Sequence, residues 1–299
     1  MTRAVSRRAA LRRFAQAAFA TSLVFSWPSR RSRAAGRLEL DGAFTQGGLL
    51  FGRADPGSAA WLDGDRLMVG ADGRFLLGFG RDAEADARLR VRHADGSIEE
   101  RDIAIAQRTY GEQRIEGLPQ NTVTPDPEER QRIAADNARV KAARRAQAAV
   151  AWYQDGFAWP VQGPITGVYG TARILNGEPR QPHYGVDIAA AEGTPVASPA
   201  DGIVRLAAAD MLLTGGTLVI DHGQGLSSTL MHLSAVLVKP GRFVGRGEIV
   251  GRVGHTGRAT GPHLDWRMNW RDARLDPALL VEPMPAAAAT LAAAPASAD

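Results

Sequence analysis

Between residues 37 and 108 short apolar runs alternate with turn signals. Leu49-Leu50-Phe51, Trp61-Leu62, Leu67-Met68-Val69 and Phe75-Leu76-Leu77 are punctuated by Asp63-Gly64 and Asp72-Gly73, and Asp95-Gly96 follows. Asp-Gly between apolar runs marks tight hairpins. Leu89, Val91 and His93 share one face of a period-two segment, and Arg88, Arg90 and Arg92 share the other. About seven short strands in roughly seventy residues predict a small β-sandwich, with His93 as a partly exposed strand residue.

The period changes after a connector that begins at residue 109. From Asp126 to Ala149 there is no internal Gly, and the one Pro, Pro127, lies in the first turn. Acids open this segment (Asp126, Glu128, Glu129) and bases close it (Lys141, Arg144, Arg145), which complements a helix dipole. Its apolar stripe is thin, with Ile133 and Val140 one heptad apart. That pattern predicts a solvated helix lying against a domain rather than a coiled coil. Between 159 and 283 strand patterns return at Thr217–Asp221, Ser227–Leu233, Glu248–Val253 and Leu264–Trp270, with no sustained helical period. Residues 284–299 are almost entirely Ala, Pro and Ser and predict a disordered tail. The chain therefore reads as all-β with two domains: a sandwich at 37–108, a helical connector at 109–158 and a β-domain at 159–283.

Composition changes this picture in two respects. Cysteine is absent, so disulfide scaffolds, thiolate metal sites and cysteine nucleophiles are excluded. The net charge of +4 is misleading, because residues 1–35 hold eight Arg and no acid. Removing eight of the 36 basic residues leaves 28 against 32 acidic, so +4 becomes −4 and a nucleic-acid partner is not expected. Within 1–35, the Arg-rich start, the short run from Phe14 to Phe25 and the small residues after it have the layout of an export signal. Ser6-Arg7-Arg8 resembles a twin-arginine pair, a role that Arg12-Arg13-Phe14 could also fill, so both the twin-arginine and the general secretion routes are open to it. The apolar run is too short for a stable membrane span, so the expected location is the periplasm or cell envelope.

Five of the six histidines fall between 183 and 263. His183 and Asp187 are four apart, about 13 Å along a straight strand, so they can meet at one metal only across a bend. Pro182 and Gly185 can supply it. His263 and Asp265 are two apart and share a strand face. His232 is a third candidate at a strand end. Together these residues could form a three-ligand site with an open position, as catalytic zinc requires. No phosphate-binding glycine loop, dinucleotide fingerprint or Gly-x-Ser-x-Gly elbow competes with this reading.

The ordered set His183…Asp187, His232-Leu233-Ser234 and Gly261-Pro262-His263-Leu264-Asp265 resembles the lysostaphin/LytM-type zinc endopeptidases. Gly193-Thr194-Pro195-Val196 and Ala200-Asp201-Gly202 add to the resemblance, which covers about 160–283. It implies a LytM-type β-domain that binds zinc and hydrolyses peptide bonds in peptidoglycan. It further implies that His183 and Asp187 are metal ligands and that His232 and His263 are the catalytic pair that orients and deprotonates water. The family's third ligand is a His where this chain has Asp265, and the Tyr common two residues before its catalytic His is Leu230 here. A carboxylate can bind zinc, so a His-Asp-Asp site is possible, although its two carboxylates offset the +2 ion more fully. The competing expectation is a degenerate domain of this type that binds or regulates another cell-wall hydrolase. His222 and His255 read as structural or surface residues, with His222 a candidate to support the site from behind.

Overall fold

Alternation along the strands decides which residues lie inside. In the computed structural model, which describes residues 37–117, 125–145 and 148–284, the strand Asp86–Arg92 buries Ala87, Leu89 and Val91 and exposes the residues between them. It lies in a four-stranded antiparallel sheet ordered Asp65–Arg66, Ala59–Leu62, Asp86–Arg92, Ile98–Ala104. A three-stranded sheet, Leu38–Gly42, Leu49–Ala54, Arg74–Gly78, completes the N-terminal part. These are the seven short strands expected from the turn signals. His93 departs from expectation. It is buried, with Nε2 3.3 Å from Glu99 and Nδ1 3.7 Å from Asp55.

The helix runs from Pro127 to Arg145 and buries only Ala143. It is held to the β-domain by polar contacts. Asp136 Oδ2 accepts from the Leu212 amide at 2.9 Å, and Arg144 donates to Asn269 Oδ1 at 3.0 Å. The thin stripe seen in the sequence is thus a lightly packed face. Among the described residues no helix is long and apolar enough to cross a membrane. The expected export signal at 1–35 and all but the first residue of the expected tail at 284–299 lie outside the described residues.

The C-terminal part is built on a ten-stranded sheet. Its spine is ordered Phe243–Val244, Gly202–Met211, Gly215–Gly223, Leu226–Val236, His263–Trp270, Val186–Ala189, Ile165–Gly167. Leu264, Trp266 and Met268 from one face of His263–Trp270 are fully buried. They belong to an apolar cluster that also takes in Leu49, Phe75 and Leu89 of the N-terminal sheets. Polar bonds cross the same seam: Arg108 pairs with Asp276 at 2.8 Å, and Gln224 donates to the Arg74 carbonyl at 3.0 Å. The described residues from Arg37 to Met284 consequently pack as one compact unit. The sequence patterns, read segment by segment, carry no sign of this seam.

His222 stands inside this core. Its Nδ1 donates to the Asp201 carbonyl at 2.7 Å and its Nε2 lies 2.7 Å from Ser228 Oγ, so it is structural. Burial pushes its pKa down to about 4. The unfolded chain, near 6.5, then takes up the proton first. The stability that rests on neutral His222 is complete above pH 6.5 and lost as pH falls toward 4, by about 3 kcal/mol in all. His222→Gln should be less stable at pH 7.5 but should lose less between pH 6.5 and 4.5 than the wild type, as measured by urea unfolding. Parallel losses in the two proteins would remove His222 as the origin.

Candidate metal centre

Three adjacent strands deliver the polar cluster, and their register explains how. Asp187 stands directly opposite Asp265 across the antiparallel pair Val186–Ala189 and His263–Trp270, and Ala189 stands opposite His263. Two carboxylates placed opposite each other repel unless a cation lies near. His183 precedes the strand and reaches the same place because the chain bends at Gly185. Its backbone is fixed by two bonds, its amide donating to the Thr171 carbonyl at 2.9 Å and its carbonyl accepting from Gly170 at 2.7 Å. Gly185 has a second role. A Cβ there would lie 2.5 Å from Asp265 Oδ1, so a larger residue would displace that carboxylate.

His232 is not at a strand end. It lies within Leu226–Val236, where the register with the neighbouring strand slips by one residue: Leu230 pairs with Leu218, but Leu233 pairs with Gly216. Met231 and His232 therefore share the space opposite Thr217, and His232 has a φ of +63°. Regular alternation would turn Met231 and His232 to opposite faces. The bulge re-aims the imidazole instead, and it comes to 4.7 Å from the His263 ring, centroid to centroid.

His183, Asp187 and Asp265 each offer one ligand atom such that all three atoms lie within 4.8 Å of one another. His183 Nε2 and Asp187 Oδ1 are 3.2 Å apart, buried and without a hydrogen-bond partner. Buried polar atoms of this kind are costly unless something satisfies them. One imidazole and two carboxylates suit a divalent cation with an affinity for nitrogen and oxygen, so the residues fit the metal that the resemblance implies. The fit carries one requirement. Arg173 donates to His183 Nδ1 at 3.1 Å, and arginine cannot accept in return. Ligation through Nε2 would put the ring proton on Nδ1 and so would break the bond from Arg173.

Both catalytic candidates have a defined tautomer. His232 Nδ1 lies 2.8 Å from the Thr256 carbonyl and His263 Nδ1 lies 2.8 Å from the Gly261 carbonyl. A carbonyl only accepts, so each Nδ1 carries a proton, and in the neutral ring each Nε2 keeps its lone pair. His263 Nε2 is 3.9 Å from Asp187 Oδ1, which sets it beside the ligand cluster. Burial lowers the pKa of His232 more than its bond to Thr256 and the nearby Asp265 raise it, so the ring is neutral at pH 7.

Arg267, which the motif reading passed over, changes the electrostatics. It shares the strand face of Asp265, two residues on, and donates to both carboxylate oxygens, with its shortest bond 2.7 Å. Burial alone would raise the pKa of Asp265, but Arg267 outweighs it and holds the carboxyl below its usual value. The extra negative charge that Asp265 brings is thus matched by a guanidinium. A period-two reading could have found this pair, because Asp265-x-Arg267 places opposite charges on one face. His255 stays outside the cluster, exposed and 3.1 Å from Glu192.

The profile of peptidase family M23 matches residues 181–277. The chain is similar to the peptidoglycan DD-endopeptidase ShyA of Vibrio cholerae, 42% identical over 87 residues that make up 29% of this chain and 20% of ShyA. It is 37% identical over 103 residues to the DD-carboxypeptidase/endopeptidase Mpg of Neisseria meningitidis, covering 34% of this chain and 24% of Mpg. The matches span about a fifth to a quarter of the length of these curated relatives. A crystal structure from Pseudomonas aeruginosa described as a peptidase M23 superposes with a TM-score of 0.62 at 30% identity, covering 79% of this chain and 94% of that one.

Proposed function

This chain belongs to peptidase family M23, and from that premise we propose that it is a zinc-dependent endopeptidase acting on peptide bonds of peptidoglycan. The observation that carries the proposal is the convergence, on one patch of sheet, of a His-Asp-Asp cluster with two imidazoles whose Nε2 lone pairs are unengaged. In this reading His183, Asp187 and Asp265 hold the ion. When bound, the zinc supplies Lewis-acid polarisation of the scissile carbonyl and activation of the attacking water. The peptidoglycan substrate is inferred from the names of the relatives, and the exported location from residues 1–35 together with that substrate.

His263 Nε2 is the group best placed to take the proton of the attacking water, because it lies beside Asp187 and its opposite nitrogen is held by Gly261. His232 Nε2 starts without a proton. It can take over the proton that His263 removes from the water, its ring being 4.7 Å away, donate a hydrogen bond to the developing oxyanion while it carries that proton, and pass it to the leaving amine, which leaves both rings neutral. The edge strand Ile165–Gly167, paired with the strand of Asp187, offers an extended peptide a place to add.

The test is metal analysis of the purified protein together with peptide release from peptidoglycan. About one equivalent of zinc and release that a chelator abolishes are expected. No zinc and no release would transfer the reading to a binding module that regulates another cell-wall hydrolase.

A further inference from the structure

A hairpin borders the metal centre. Ala172–Leu175 pairs with Glu178–Arg180, and its register sets Arg173 directly opposite Arg180. Like charges facing each other across an antiparallel pair destabilise it unless an anion relieves them. Arg173 points into the site, with one nitrogen 3.1 Å from His183 Nδ1 and 3.7 Å from Asp187 Oδ2. Arg180 is exposed and has no ion-pair partner among the described residues. A third guanidinium, Arg258, comes from the loop whose carbonyls, at Thr256 and Gly261, hold His232 and His263. Burial lowers the pKa of Arg258, and the closeness of Arg173 and Arg180 lowers it further. Arg173 thus stands at the cluster, with Arg180 opposite it on the hairpin and Arg258, from a separate loop, close enough to both for their charges to act on it.

We propose that Arg173, Arg180 and Arg258 form a subsite that binds a carboxylate of the peptide substrate beside the scissile bond. The inference rests on the peptidase reading above and gives it a substrate class: peptides with a free carboxylate near the cleaved bond. The planar fork of arginine matches a carboxylate in two parallel bonds. Metal ligation by His183 Nε2 also releases Arg173 from the ring, so the subsite is completed when the ion is held.

Three fluorescently labelled cross-linked stem-peptide dimers test this: one with all carboxylates free, one amidated only at its C-terminus, and one amidated only at its side-chain carboxylates. Binding is read by anisotropy and turnover by product release, for wild type, Arg180→Gln and Arg180→Lys. Arg180→Gln should raise KM and Kd about tenfold for the free dimer with kcat within twofold, and Arg180→Lys should restore part of the loss. One of the amidated dimers should bind the wild type as weakly as the free dimer binds Arg180→Gln, and for it the substitution should add less than twofold. Which dimer behaves so identifies the carboxylate. Equal shifts for all three dimers, or none for any, would overturn the subsite. If the wild type binds the dimers without cleaving them, the peptidase reading fails while the Kd values still decide the subsite.

Discussion

His263→Ala should lower peptide release by about three orders of magnitude while the protein keeps its zinc. Removing a positioned general base costs 10²–10⁴-fold in typical cases, which is about 3–5 kcal/mol of barrier. The metal should stay because His263 is not one of the three clustered ligand groups, and its Nε2 is 3.9 Å from the nearest of their oxygens. His232→Ala should behave in the same way, since the bulge places its ring against His263 rather than among the ligands. His183→Ala and Asp187→Ala should instead lose the metal itself. Zinc content and release, measured on all four proteins, separate the two groups. If His263→Ala empties the site and Asp265→Ala does not, the assignments within the last motif are reversed.

The second large effect concerns Asp265 and Arg267 as a pair. Asp265→His restores the residue of the family pattern, but it also removes the partner of a partly buried guanidinium. Arg267 spends its donors on Asp265, and both lie against the core of the sheet. Breaking a buried ion pair by removing one partner costs about 3–5 kcal/mol, and the partial exposure of Arg267 places this case near the lower figure. Asp265→His should therefore be destabilised by about 3 kcal/mol and should also bind metal worse, because an unpaired guanidinium then faces the ion. Adding Arg267→Gln removes that cation, so the double variant should recover most of the stability and bind zinc more tightly than Asp265→His alone. Urea unfolding and competitive zinc titration check both. Additive effects of the two substitutions would show that the pair is not a unit.

Much of the architecture is legible along the chain because it rests on short-range rules. Period-two burial in Asp86–Arg92, Asp-Gly turns between apolar runs and the charge asymmetry of Pro127–Arg145 each depend on a few neighbouring residues. The convergence of His183, Asp187 and Asp265 is legible for a related reason: Pro182 and Gly185 permit a bend, and His263 with Asp265 share a face by simple alternation. Other features depend on partners far away in sequence. Which way the imidazole of His232 points is set by a register slip against Gly215–Gly223, and one extra residue in a strand leaves no mark in its own hydrophobic pattern. His93 reads as partly exposed because a histidine is seldom fully buried, yet it continues the buried Leu89 and Val91 side, with Asp55 and Glu99 beside it. The pairing of Asp187 with Asp265 needs Val186–Ala189 and His263–Trp270 to be neighbours, a choice made by the whole sheet. Residue types and local periodicity determined the elements and named the chemistry. Strand order, register and the placement of Arg173 and Arg267 decided the charge and tautomers of the centre, because those depend on distances of a few ångströms between groups that only folding brings together.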